Sequence, residues 1–119
     1  MLGEDALVLT AIEKPILLLV EGRDDRMLFS GLLQHLGRTQ EVAVEEYGGK
    51  AGLRGYLDPL RIRGGFESLQ ALVVVRDADN DCKTALQSVR DALDQYGFGR
   101  PVEPLAFTAA SPRVAAIII

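Results

Sequence analysis

The chain has 119 residues, 48% hydrophobic and 25% charged, with a net charge of −4. That length holds one hydrophobic core, so residues 1–119 are expected to form a single domain, and the composition excludes a disordered chain. The one cysteine, Cys82, excludes an internal disulfide, and the acidic balance counts against tight non-specific binding of nucleic acid unless a local basic patch or a bridging metal ion supplies the attraction.

In chain order, the N-terminal stretch comes first. It carries Glu4, Asp5 and Glu13 and no basic region, unlike a signal peptide. The longest apolar runs, Ile16–Val20 and Leu72–Val75, are too short to span a bilayer, so a cytoplasmic protein with no membrane association is expected. Pro15 precedes Ile16–Val20, which reads as a strand buried on both faces. Glu21-Gly22-Arg23-Asp24-Asp25 follows, and then Leu28, Phe29, Leu32, Leu33 and Leu36 recur at helical spacing. Asp24 or Asp25 is the expected cap of that helix, and Gly37 its end. Glu41–Tyr47 reads as a half-polar strand. Gly48-Gly49 then punctuates, and a second helix places Leu53, Tyr56, Leu57 and Leu60 on one side. Arg63–Phe66 reads as a loop.

Leu69–Val75 is the second strongly buried strand, and it runs into Arg76-Asp77-Ala78-Asp79-Asn80-Asp81. A third helix puts Leu86, Val89, Leu93 and Tyr96 at spacings of three and four, and Gly97 and Gly99 stop it. Two further short strands are expected near Glu103–Phe107 and Val114–Ile119. Strands alternating with helices predict an α/β fold, a three-layer sandwich with a central, mainly parallel sheet. The first and second buried strands should be adjacent or nearly so, and not antiparallel to each other. The chain stops inside Ile117-Ile118-Ile119. Such a run needs cover, so the domain is expected to be truncated here, or a second copy or another partner to cover the segment.

The chemistry-bearing signal is one of position. Glu21 follows the first buried strand, Asp77 the second, and Asp79 lies two residues on. Ligands gather outside the carboxyl ends of parallel strands. Three carboxylates brought together there repel unless a proton or cation lies between them, and oxygen-only ligands suit Mg²⁺ or Mn²⁺. Without metal, at least one member should have a raised pKa. Taken singly, each acid is an ordinary solvated loop residue; the joint pattern is what points to a site.

Other motifs fail on their letters. A P-loop ending at Gly49-Lys50 needs glycine where Val44 stands and serine or threonine where Ala51 stands. An EF-hand starting at Asp77 needs glycine at Cys82 and glutamate at Ser88. Dehalogenase-type phosphatases share Asp-x-Asp but usually carry threonine or valine where Asp81 stands, and have no place for Glu21. A receiver domain wants a late lysine after a strand, and none follows Lys83. His35 has no histidine or cysteine partner for zinc.

Leu18-Leu19-Val20-Glu21-Gly22 with Asp25 nearby, followed by Tyr47-Gly48-Gly49-Lys50 and then Val73-Val74-Val75-Arg76-Asp77-Ala78-Asp79, resembles the ordered motifs of Toprim domains over roughly residues 15–97. The look is nearest to small stand-alone bacterial Toprim-like proteins of unknown function, some near the OLD-nuclease branch. The resemblance implies that Glu21 serves as metal ligand or general acid/base and that Asp77 and Asp79 hold Mg²⁺. Tyr47, Tyr56 and Tyr96 carry no mark of a topoisomerase nucleophile. Two functions follow as expectations. One is Mg²⁺-dependent hydrolysis or transfer at a phosphodiester, with Lys50 or Arg23 on the phosphate and a nucleic acid or nucleotide as partner. The other is a non-catalytic Toprim-like module that binds a protein or nucleotide. Arg26, Arg54 and Arg76 also flank the acidic edge in sequence.

Overall fold

In the computed structural model, residues 10–49 and 51–119 are described. Their strands and helices alternate: β1 (Ile16–Val20), α1 (Arg23–Leu36), β2 (Val42–Glu46), α2 (Gly52–Leu57), β3 (Ala71–Arg76), α3 (Cys82–Gln95) and β4 (Arg113–Ile118), with single 3-10 turns at Leu60–Ile62 and Phe66–Ser68. The described strands form one all-parallel sheet in the order β2-β1-β3-β4. The two apolar runs are therefore central neighbours, with Ile16 opposite Ala71 and Leu19 opposite Val74. Burial on both faces explains why they read as continuous apolar runs rather than alternating ones.

Alternate residues feed two cores. Leu17, Leu19, Leu72, Val74, Val114 and Ala116 pack with Leu53 and Leu57 of α2 and Val89 and Leu93 of α3. Leu18, Val20, Val73 and Val75 point to the other face, where Phe29 of α1 and Ile117 pack against them. The helices thus lie on both sides of the sheet, as a three-layer α/β sandwich requires. No helix among the described residues is long and apolar enough to cross a membrane.

Four expectations need correction. The first helix buries none of its residues. Phe29 and Leu33 are half-buried, whereas Leu28 and Leu36 are 62% and 59% exposed and Leu32 is also exposed. The five apolar positions span two adjacent stripes about 100° apart, and the helix seats only one of them. The helix also starts without an aspartate cap: Gly22 is the N-cap, and Asp24 and Asp25 lie inside the first turn. The segment near Glu103–Phe107 is a turn and not a strand. Pro104 has no N–H to give a ladder, Leu105 sits at φ 67°, and Ala106 N–H donates to Glu103 O at 3.2 Å. This turn still guards an edge. Leu105 and Thr108 N–H donate to Ala116 and Val114 O of β4, at 2.8 and 2.9 Å. Of the terminal isoleucines, Ile117 and Ile118 are half-buried and Ile119 is 48% exposed, so the burial expected for all three is incomplete.

The remaining boundaries follow sequence chemistry. Gly37 ends α1 at φ 71°, its N–H donating to Gln34 O. Pro59 stops α2 early and leaves Leu60 to a 3-10 turn, still buried. Asp81 caps α3, accepting from Lys83 N–H at 3.0 Å, Thr84 N–H at 3.2 Å and the Thr84 hydroxyl at 2.8 Å. Those bonds hold its carboxyl below the usual range, Thr84 contributing most.

Candidate metal centre

The strand order reverses at β1: the chain leaves it one way for β2 and reaches β3 on its other side. A crevice opens at such a switch point outside the strands' carboxyl ends. Glu21 follows β1 there and Asp77 follows β3. Their connection is direct, since Asp77 N–H donates to Glu21 Oε1 at 3.1 Å. The other carboxylate oxygen of Glu21 lies 3.8 Å from Arg76 Nε. The turn after β2 wraps the same point: Gly48 and Gly49 N–H donate to the Glu21 carbonyl at 3.1 and 2.9 Å. Both glycines stand at positive φ, 87° and 83°, a conformation side chains rarely take. Tyr47 anchors this turn through its hydroxyl, which donates to Val75 O at 2.7 Å. Burial, with Glu21 next, pushes the Tyr47 phenol well above its ordinary value, so it stays a neutral anchor.

Carboxylate oxygens of Glu21, Asp25 and Asp77 all lie within 4.8 Å of one another. Glu21 and Asp77 are two of the three acids expected. Asp25 takes the third place, one helical turn beyond Glu21 on α1. Asp79 is not in this group. Ala78 N–H donates to Ile119 O at 2.8 Å, which draws the chain toward the end of β4, on the far side of β3 from β1. Asp79 follows at φ 56° and lines an adjoining hollow. Arg23 is exposed and lines the acidic hollow. Lys50 lies outside the described residues. The letters offered only a spacing for Asp25, four residues past a strand-end acid; the start of α1 at Gly22, which the fold decides, sets it over the same edge.

The electrostatics match the crowding. The Asp25 carboxyl is raised above its ordinary 3.8, by burial first and then by the charges of Asp77 and Asp24. This shift falls on Asp25, outside the three acids for which one was expected, and burial leads its causes. The hollow over these groups is about 830 Å³, open, and lined by Glu21, Gly22, Arg23, Asp24, Asp25, Glu46, Gly48, Gly49 and Asp77. Among the described residues no hydroxyl, thiol or imidazole lines it. Arg26 pairs with Glu46 at its rim.

Residues 15–116 match the family model described as "Protein of unknown function (DUF3226)". No curated protein and no solved structure matches the chain.

Proposed function

We propose, for a chain that belongs to the DUF3226 family, a Toprim-like divalent-cation centre that acts on phosphodiesters of nucleic acid by water attack. The observation that carries this reading is the convergence of Glu21, Asp25 and Asp77 at the switch point of a parallel sheet. The residues suit Mg²⁺ or Mn²⁺: an all-oxygen, all-carboxylate set, open to water, with mutual repulsion that a cation removes. Asp25 and Asp77 would hold the ion together with Glu21. A bound Mg²⁺ supplies Lewis-acid polarisation of a phosphoryl oxygen. Glu21, fixed by the Asp77 N–H and flanked by Arg76, is the group positioned to accept a proton from an attacking water. Arg23 faces the same hollow and can take the charge of a non-bridging phosphate oxygen. The order of the Toprim-like motifs supports the same assignment.

The test is calorimetric titration with Mn²⁺ of the wild type, Asp25→Asn and Asp77→Asn, followed by a strand-cleavage assay. Each substitution should lower Mn²⁺ affinity by about tenfold or more, while Asp79→Asn has the smaller effect. Uptake of Mn²⁺ without cleavage would favour a binding module. No uptake by the wild type at millimolar metal would remove the centre.

A further inference from the structure

The acidic hollow adjoins a second, and the second a third, through shared lining residues. Asp77 lines both it and a hollow of about 210 Å³ over the 77–81 loop, and Thr84 lines both that one and a third, of about 520 Å³, between α2 and α3. The third is lined by Arg54, Lys83, Thr84, Gln87, Ser88 and Asp91, and its charge is of the opposite kind. Arg54 Nε donates to Gln95 Oε1 at 2.7 Å, a neutral partner. Among the described residues no carboxylate lies in ion-pair range of Arg54 or Lys83. The groove's own acid, Asp91, is already paired with Arg100 at 3.1 Å and accepts from Gln87 Nε2. Between the two ends, the hollow over the 77–81 loop carries Asp77, Asp79 and Asp81, with one buried cation, Arg76, against them. Arg76 is 9% exposed, with Glu21 near its Nε and its Nη1 3.4 Å from Ser88 Oγ on the groove wall, and its Nε has no hydrogen-bond partner.

We propose that this groove holds backbone phosphates of a nucleic-acid strand whose adjoining phosphodiester lies at the Glu21–Asp25–Asp77 centre. Lys83 and Arg54 neutralise the phosphates, and Gln87 and Ser88 donate hydrogen bonds to them. From Lys83 to Asp91 the groove follows α3 for about 12 Å at the helical rise. That exceeds the span of one phosphate group. The hollows are open along their length, which suits a strand rather than an enclosed small molecule. Among the described residues none that lines the hollows is aromatic, so the strand is held by its backbone. The groove is the local basic patch that an acidic chain needs to meet a polyanion. The inference rests on the proposed centre only for the position of the adjoining phosphodiester.

The experiment is fluorescence anisotropy with a labelled oligothymidylate of about twelve nucleotides, in EDTA and in Mn²⁺, over a range of salt. Arg54 and Lys83 are both exposed, so the double variant R54Q/K83Q should fold, as circular dichroism will check. It should bind the strand roughly tenfold more weakly and lose about 1.4 from the slope of log affinity against log salt, about 0.7 for each phosphate contact. Its Mn²⁺ affinity by calorimetry should equal that of the wild type. Equal strand affinity and equal slope in wild type and variant would overturn the groove. So would a wild type that binds no strand, or dTMP competing as well as the oligonucleotide. Failure of the metal reading looks different: the wild type then takes up no Mn²⁺, while the double variant still weakens strand binding.

Discussion

Two charged clusters lie near the first two strands, and they are built on opposite rules. At Glu45 of β2, Arg63 makes a bidentate pair at 2.7 and 2.8 Å, and its other groups go to the Thr10 carbonyl at 2.7 Å and the Tyr56 oxygen at 2.9 Å. The Tyr56 hydroxyl in turn donates to Glu45. The Arg63 side chain is only 4% exposed, yet its charge is answered. At Glu21, by contrast, three acids crowd one edge, with one backbone N–H and a guanidinium at 3.8 Å to offset them. The first cluster ties β2, α2 and the 61–65 loop together. The second is held in place by strand ends and a glycine turn in spite of its own repulsion. A group of charges that the fold must restrain, rather than one that restrains the fold, is the better candidate for chemistry.

The largest effect should come from breaking the satisfied cluster. Arg63→Ala leaves Glu45 partly buried without its partner and should cost about 3 kcal/mol in urea denaturation. Replacing both, as Glu45→Leu with Arg63→Met, should recover much of that loss, because no charge is then stranded. If the single variant is as stable as the wild type, the cluster is not a tie and the contrast collapses.

A smaller effect of the opposite sign is expected at the acidic centre. In metal-free buffer Asp77→Asn removes one like charge and should stabilise the protein by about 0.5–1 kcal/mol, given its exposure to water. Saturating Mn²⁺ should reverse the order, since only the wild type gains the full binding energy. Thermal melts with EDTA and with Mn²⁺ would show this; a destabilised variant in EDTA would mean that Asp77 serves the fold.

The smallest effect is in pH dependence, where the two clusters should run in opposite directions. Asp25 is raised above 3.8, so the folded protein takes that proton first and the strain from its charge is relieved as pH falls through the raised value toward 3.8. Burial alone would raise Glu45, but its hydrogen bonds to Arg63 and Tyr56 outweigh this and hold it below 4.5. Its contribution is therefore fully present above 4.5 and lost as pH falls through the folded value. Asp25→Asn should exceed the wild type in stability at neutral pH and lose that lead on acidification. Glu45→Gln should fall short at neutral pH, and that deficit should shrink on acidification. Denaturation series at several pH values would separate the two curves, and parallel curves would show that the clusters do not differ in this way.

Composition and spacing were enough to determine the sheet's centre and two of its acids. Ile16–Val20 and Ala71–Val75 are apolar at successive positions, as a strand covered on both faces tolerates, and the acid that ends such a strand emerges at its carboxyl edge. That reasoning reaches Glu21 and Asp77 because strand direction is a local property. Asp25 and Asp79 were decided by tertiary structure. Whether either joins Glu21 depends on where the following backbone turns, and that is set by distant partners: Gly22 starts α1 over the β1 edge, while the carbonyl of Ile119 draws Ala78 toward β4. The seating of α1 was likewise invisible, since two apolar stripes on one helix are equivalent until a neighbouring surface selects one. The groove at Arg54 and Lys83 joins residues from two helices that share no sequence pattern, and only the packing of α2 beside α3 brings their charges onto one path.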